Sequence, residues 1–330
     1  MQFKKKRILI TGAAGFFGSH IATRTLLDEN ELAIIDILND ETSPVSQKKK
    51  NIEELEQNNS SKKKGFEFYN NDITDSDSVK KIIKEFKPNI VIHVAALTMD
   101  RRSMDAPAEF IKTNVYGTQV LLDCLTSIKE HEQFIFISTR SAIGEVETPS
   151  TVILETTNFR PINPYGASKA AAEGFIHSWH NDTKKSVKIC RMQPLYGPRC
   201  RHDMLPYRVF NSILNDTEFT KYGNGEAIRD WLYVEDAVDA IFKIINHNKV
   251  FDIFNVGTGK PTSTNSIIST CEKVANKKLK INQISSIRGD AHFAGVADIS
   301  KIFNQTGWRY KTKLEDGLKK TFDYMKKKSN

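Results

Sequence analysis

The segment Arg7–Gly18, RILITGAAGFFG, constrains this chain more than any other. A short apolar run, Ile8–Leu9–Ile10, leads into glycines spaced Gly12-x-x-Gly15-x-x-Gly18, and the amphipathic stretch Phe16–Leu27 follows at once. Strand, glycine turn and helix in that order assign each glycine a task. Gly12 permits the tight turn, Gly15 lets the backbone approach a pyrophosphate, and Gly18 allows the helix to pack close to the strand. The helix N-terminus adds free N–H groups and the positive end of a dipole, so the ligand this turn suits is a phosphate anion. The first interval is one residue longer than in the common dehydrogenase form. Asp36 ends the next strand, where a carboxylate would bind adenosine ribose hydroxyls and repel a 2′-phosphate, which favours NAD over NADP. The plainer alternative for Asp36 is a cap on the following turn.

The alternation continues beyond this unit. Strands are expected at Arg7–Thr11, Leu32–Asp36, Phe66–Asn70, Ile90–Val94, Phe134–Ser138 and Val187–Arg191, with helices near Phe16–Leu27, Ser78–Phe86, Ala108–Ile128 and Tyr165–His180. Near-continuous apolar strands separated by helices imply a parallel sheet covered on both faces. The polar stretch Asn39–Gly65 is too long for a simple connection, and Val45–Leu55 is expected to form a surface helix. After about Gln193 the rhythm breaks: Pro194, Gly197, Pro198, Pro206, Gly223, Gly225, Gly257, Gly259 and Pro261 punctuate shorter elements. Further helices are expected near Glu235–Ile245, Ser263–Ala275 and Leu314–Lys326. The expected fold is α/β: a Rossmann-type doubly wound parallel sheet over residues 1–193 and a smaller C-terminal substrate-binding α/β domain over 194–330. Segments near 229–258 are expected to return to the main sheet.

Composition narrows the function classes. The 330 residues are 39% hydrophobic and 27% charged, with 48 Lys+Arg against 40 Asp+Glu, a formal charge of +8. The lysines cluster in runs, Lys4–Lys6, Lys48–Lys50, Lys62–Lys64 and Lys326–Lys328, which read as solvated loops and helix ends rather than a nucleic-acid surface. What remains is a positive field that favours an anionic small molecule. Cys124, Cys190, Cys200 and Cys271 are widely spaced, so neither a metal site nor a disulfide framework follows. No apolar run approaches the roughly 18 residues of a membrane span, and the N-terminal apolar segment is too short for a signal peptide. A cytoplasmic protein is expected.

The chemistry is carried by Pro164–Lys169, PYGASK. Tyr165 and Lys169 stand four residues apart and share one helix face. An ammonium beside a phenol, with a bound oxidised nicotinamide, can bring a tyrosine pKa from about 10 towards neutrality, making Tyr165 a general base for an alcohol proton. Thr139 closes the fifth strand at the carboxyl edge where such sheets bind ligands, and could hydrogen-bond the reacting oxygen or merely cap a turn. Asp72 reads either as an adenine contact or as a turn cap. His93, at the end of an apolar strand, reads as a packed histidine.

Together these segments resemble the extended short-chain dehydrogenase/reductase family, specifically its NAD-dependent nucleotide-sugar epimerases and dehydratases. The resemblance covers nearly the whole chain through TGAAGFFGSH, HVAA at 93–96, NVYGT at 114–118, Ser138–Thr139, YGASK, LYGP at 195–198, RDWLYVEDAV at 229–238 and FNVGTGKPTS at 254–263. It implies cofactor contacts from Gly12, Gly15, Phe16, Phe17, Gly18, Asp36, Asn39, Asp72, Ile73, Ala95, Ala96, Asn114, Tyr165 and Lys169. Within the family, DILND at 36–40, GFEFYNNDITD at 65–75, AALTMDRRSMDAP at 95–107 and YGPRCRHDM at 196–204 look most like UDP-glucuronate 4-epimerases. That likeness implies a UDP-sugar site drawing on Arg101, Ser103, Thr139, Arg140, Arg201, Arg229 and Arg288, the last two towards the pyrophosphate and Arg201 towards a uronate carboxylate. For Arg229 and Arg288 the alternative is a surface salt bridge. It also implies a transient 4-keto sugar and a homodimer built on the helices near Ala108–Ile128 and Tyr165–His180.

There are departures. The related 4,6-dehydratases carry Asp-Glu directly after the catalytic threonine, where this chain has Arg140 and Ser141. Pro194 stands where Thr or Asn is usual, Ile143 where tyrosine is frequent, and His202 where proline is usual. Arg140 could add a second positive charge to the sugar site or point to solvent. Epimerisation of a UDP-N-acetylhexosamine, a deoxysugar-forming reductase and a non-catalytic NAD-binding regulator are the competing functions. Net NADH consumption would mark the reductase, and the altered loop at 140–143 is the regulator's best argument.

Overall fold

A computed structural model describes residues 6–60, 65–285 and 291–329. Seven strands, β1 (Arg7–Thr11), β2 (Glu31–Asp36), β3 (Phe66–Asn70), β4 (Ile90–His93), β5 (Gln133–Thr139), β6 (Ser186–Met192) and β7 (Phe251–Val256), form one sheet. All pair in parallel, in the order β3-β2-β1-β4-β5-β6-β7. The chain winds outward from β1 to β3, then crosses back to lay β4 on the other side of β1. That reversal opens a crevice at the carboxyl ends of β1 and β4, where open α/β sheets bind ligands.

The apolar runs form strands because both sheet faces are covered. Successive side chains alternate, so Ile8, Ile10, Leu32, Ile34, Ile90 and Ile92 meet the helices Phe16–Leu27 and Val234–Ile245 on one face. Leu9, Ala33, Ile35, Val91, Phe134 and Phe136 meet Ser76–Phe86, Gly117–Thr126 and Pro164–Thr183 on the other. A fully buried aliphatic side chain contributes roughly 1.5–3 kcal/mol, so each strand is held from two sides.

Beyond β6 the elements shorten. The helices Leu205–Asn215, Thr264–Ala275 and Leu314–Ser329 pack together, with Phe210 against Phe322 at 5.1 Å between ring centroids. The apolar cluster that begins at Ile8 continues through Val209, Ile267 and Leu318, so packing is continuous across position 193.

Several elements differ from expectation. The helix expected over 108–128 is three pieces: α-helical Pro107–Phe110, π-helical Ile111–Tyr116 and α-helical Gly117–Thr126. Leu205–Asn215 is a full helix although Pro206 read as punctuation, because proline in the first turn lacks an N–H that would have no partner there. Val45–Ser60 is not wholly a surface helix: Lys48, Asn51, Ile52 and Leu55 are buried, while Lys49 and Lys50 are exposed. The lysines at 62–64 and Arg288 lie outside the described residues.

Candidate active site

The glycine turn sits at the head of the crevice. Gly12 has φ +72°, and a Cβ there would lie 2.6 Å from the Ala95 amide nitrogen, so the turn is pressed against the end of β4. A Cβ on Gly18 would lie 2.2 Å from the Gly12 carbonyl oxygen, which enforces the close helix–strand contact. Gly15 differs: its nearest neighbour within reach of a Cβ is its own turn, 3.3 Å away. Its open face is therefore turned from the protein body, as a backbone approached by pyrophosphate requires. The helix Phe16–Leu27 has no side-chain cap and no acidic residue in its first turn, so its positive end is available to an anion. Phe16 and Phe17 are buried beneath it.

At the end of β2, Asp36 is buried. Its Oδ2 accepts the Ala14 N–H at 2.9 Å and its Oδ1 meets the Lys48 ammonium at 3.2 Å. Burial raises the Asp36 pKa, and Lys48 opposes the rise. Lys48 also donates to the Ile37 carbonyl at 2.8 Å and to Asn39 Oδ1 at 3.3 Å. One turn on, Asn51 donates to the Ala14 carbonyl at 2.8 Å. Lys48 was missed in sequence because a three-lysine run reads as solvated. Asp72 accepts the Thr74 N–H at 2.8 Å, a turn contact, beside the buried Ile73. The Ala95 N–H donates to Thr11 Oγ1 at 3.2 Å, and Ala96 follows on the same half-buried segment. Asn114, projected inward by the π-helical turns, accepts the Leu97 N–H at 2.8 Å and donates to the Leu97 carbonyl and Ser168 Oγ, both at 2.9 Å.

The helix Pro164–Thr183 begins beside the end of β5. Asn163 caps it by accepting the Gly166 N–H at 2.8 Å, and Pro164 supplies its first turn. Tyr165 and Lys169 lie on its inner side, the lysine buried with Nζ 3.9 Å from the Phe136 ring centroid. Thr139 Oγ1 accepts the Ser141 N–H at 3.1 Å, capping a 3₁₀ turn, and also hydrogen-bonds the Tyr165 side chain. Of the two roles read for it, the turn cap is present, and the hydroxyl stands beside Tyr165. Burial pushes the Tyr165 hydroxyl up to about 12, while Thr139 and Arg201 act to lower it and Asp100 to raise it. Burial brings Lys169 down to about 7, against the nearby Glu173. Desolvation here outweighs the lowering influences of Thr139 and Arg201, and the lowering expected from Lys169 together with a bound oxidised nicotinamide concerns the cofactor-loaded site.

Glu173 lies one turn past Lys169 on the same face. It accepts Ser138 Oγ at 2.5 Å and pairs with Arg191 at 2.8 Å, all buried. The four-residue spacing Tyr165, Lys169, Glu173 was legible, and this carboxylate was overlooked. His93 is buried between Thr11 Oγ1 at 2.6 Å and Thr118 Oγ1 at 2.9 Å, with its pKa driven well below 6.5. It packs as expected.

The candidate sugar-side residues separate. Arg201 grips Asp203 through Nε at 2.9 Å and Nη2 at 2.7 Å, places Nη1 on the Thr98 hydroxyl, and is close enough to influence Tyr165. Arg101 is exposed and lies 4.5 Å over the Tyr222 ring, which Arg208 also approaches, at 5.0 Å. Arg229 donates to the Ile228 carbonyl at 2.7 Å and the Ala291 carbonyl at 2.5 Å. Ser103 is buried and donates to the Asp100 carbonyl at 2.6 Å, a local helix contact. Arg140 does not point to solvent: it is buried and bends back to the Gly144 carbonyl of its own loop. Asp230, also unforeseen, accepts from Thr258 N–H at 2.8 Å, Gly259 N–H at 2.9 Å and Ala297 N–H at 3.1 Å, binding three loops together.

This geometry has counterparts. A dTDP-glucose 4,6-dehydratase of Salmonella typhimurium is 29% identical over 96% of this chain and 92% of its own length. A UDP-glucuronate 4-epimerase of Thermodesulfobacterium geofontis is also 29% identical, over 96% of this chain and 95% of its own. The crystal structure of a Bacillus cereus UDP-glucuronic acid 4-epimerase with UDP-glucuronic acid and NAD superposes with a TM-score of 0.89 at 32% identity, covering 97% of this chain and 99% of that one. The family model described as GDP-mannose 4,6 dehydratase matches residues 9–321. The chain belongs to that family, within the NAD-dependent extended short-chain dehydrogenases/reductases that include nucleotide-sugar epimerases and dehydratases.

Proposed function

We propose that this protein is a UDP-sugar 4-epimerase, with UDP-glucuronate and UDP-galacturonate as its leading substrate pair, acting as a cytoplasmic homodimer. The observation that carries the reading is the loop after β5. Thr139 reaches Tyr165, whereas the next two positions hold Arg140, folded onto Gly144, and Ser141. A 4,6-elimination needs an acid and a base beside the sugar, and no carboxylate stands at those two positions. Proton removal from one hydroxyl needs only the base that Tyr165 provides.

In this mechanism Tyr165 takes the C4 hydroxyl proton while Thr139 holds the oxygen that becomes the 4-keto carbonyl. NAD, when bound, would supply the hydride chemistry at C4, and inversion requires the 4-keto sugar to turn and present its other face before the hydride returns. Lys169, anchored over Phe136 one helical turn from Tyr165, faces Glu173, whose charge opposes the lowering that burial imposes on the ammonium. Arg201 supports the uronate assignment: Asp203 fixes one edge of its guanidinium through Nε and Nη2, leaving Nη1 to exchange Thr98 for a C6 carboxylate.

The test is to incubate the enzyme separately with UDP-glucuronate, UDP-N-acetylglucosamine and UDP-glucose and to resolve the products by NMR. The expected outcome is C4 inversion of the uronate without net NADH formation, and a loss of about 10²–10⁴-fold in kcat for Tyr165→Phe. A 4-keto-6-deoxy product would replace this reading with dehydration. Inversion of none of the three sugars would overturn it.

A further inference from the structure

Asp36 does not act alone on the adenosine ribose. Its carboxylate is paired with Lys48, both side chains are about 95% buried, and the Ala14 N–H occupies the second oxygen. A paired, desolvated carboxylate exerts only part of the repulsion that a free one would direct at a 2′-phosphate. Selectivity against that phosphate therefore needs another source, and Lys48 offers one. An ammonium has three donors, and here all three have acceptors: Asp36 Oδ1 at 3.2 Å, the Ile37 carbonyl at 2.8 Å and Asn39 Oδ1 at 3.3 Å. While Asp36 is present, the Asp36–Lys48 pair carries no net charge and Lys48 has no spare N–H for a ligand.

We propose that Lys48 determines which dinucleotide the site accepts: locked by Asp36 it enforces NAD, and unlocked it becomes a ligand for a 2′-phosphate. The inference deepens the assignment of this crevice to NAD and rests on it. Removing the Asp36 charge frees one N–H and a full positive charge at the end of β2. Ile37 and Asn39 keep Nζ at that strand end instead of letting it swing to solvent, and Asn51 on the same helix keeps the helix on the glycine turn. A phosphate dianion then meets a preset ammonium, a charge-assisted hydrogen bond.

Calorimetric titration of the purified full chain, dialysed free of retained nucleotide, with NAD and separately with NADP tests this. Wild type should bind NAD and discriminate against NADP. Asp36→Ser should raise NADP affinity roughly tenfold or more and weaken NAD. Asp36→Asn, which keeps the side-chain shape and the acceptor for Ala14, should shift the same ratio in the same direction and serves if the serine variant does not fold. Adding Lys48→Met to either variant should abolish the gain. A wild type that binds neither dinucleotide would overturn the cofactor assignment and this inference with it. A wild type that binds NAD, together with single variants that gain no NADP affinity or double variants that keep the gain, would overturn the Lys48 inference alone.

Discussion

His93 shows how a titratable residue beside a catalytic centre can serve structure alone. Both ring nitrogens face threonine hydroxyls, and burial, reinforced by the charge of Lys169, holds the ring neutral. His20 is lowered to about 4 and His131 to about 3, in both cases mainly by burial. A base whose folded pKa is depressed binds fewer protons folded than unfolded once the pH falls below the unfolded value near 6.5. Stability is therefore unaffected above that value and is lost as pH falls from about 6.5 towards the folded pKa. Each such histidine adds a slope of up to about 1.4 kcal/mol per pH unit. Urea unfolding at pH 7.5, 6 and 5 should show this decline, and His93→Gln, which cannot titrate, should flatten it. An unchanged slope in that variant would mean that His93 is not among the groups responsible. Lys48 teaches the converse. Its neighbours Lys49 and Lys50 are exposed, so nothing local distinguishes the one lysine that the turn between β2 and the helix folds under.

At the scale of elements, local physics set most boundaries. Strands buried on both faces read as unbroken apolar runs, and β1 and the helix Phe16–Leu27 fall where such a run and the glycine turn place them; β3, the half-exposed edge strand FEFYN, also falls where expected. Elements that depend on distant partners were less legible. β7 reads FDIFNV, a short alternating segment whose membership of the sheet is decided by pairing with β6. The π-helical turns at Ile111–Tyr116 have no propensity signal, since what favours them is the reward for turning Asn114 inward. That reward is measurable. Asn114→Ala leaves the Leu97 N–H and carbonyl without their buried partner, and should destabilise the protein by about 2–3 kcal/mol in urea unfolding. Because Leu97 leads into the loop that carries Arg101 and Asp100, the same variant should raise KM for the UDP-sugar. Wild-type stability together with wild-type KM would show that the π turns are not held by this side chain. The candidate site divides in the same way. The Tyr165–Lys169 spacing is a property of one helix, whereas the fates of Arg140, Ser103 and Arg201 depend on Gly144, Asp100 and Asp203, which no periodicity brings forward.

At the scale of the molecule, the two helical segments nearest the catalytic residues present an apolar outer surface. Ile111 is 58% exposed, Tyr116 49% and Phe175 48%, although the opposite sides of the same segments are in the core. Around Phe175, Ala167, Ala171 and Gly174 are also exposed, and a Cβ on Gly174 would meet nothing within 4 Å, so the helix surface is smooth enough for another helix to lie close. An isologous contact through this surface would bury the same patch twice and bring two copies of the helix that carries Tyr165 against each other. This is the surface on which we place the proposed homodimer. Sedimentation equilibrium should give a dimer at micromolar concentration, and the melting temperature should rise with protein concentration, as it does when association stabilises the folded state. Phe175→Glu would place a charge on each side of the contact and should yield monomers. Since Phe175 faces away from Tyr165 and Lys169, any fall in kcat of that monomer would measure how much the partner helix contributes to holding the catalytic helix in place. A wild-type chain that sediments as a monomer would remove the dimer and leave the exposed patch to some other contact. A Phe175→Glu dimer would move the interface to a different face.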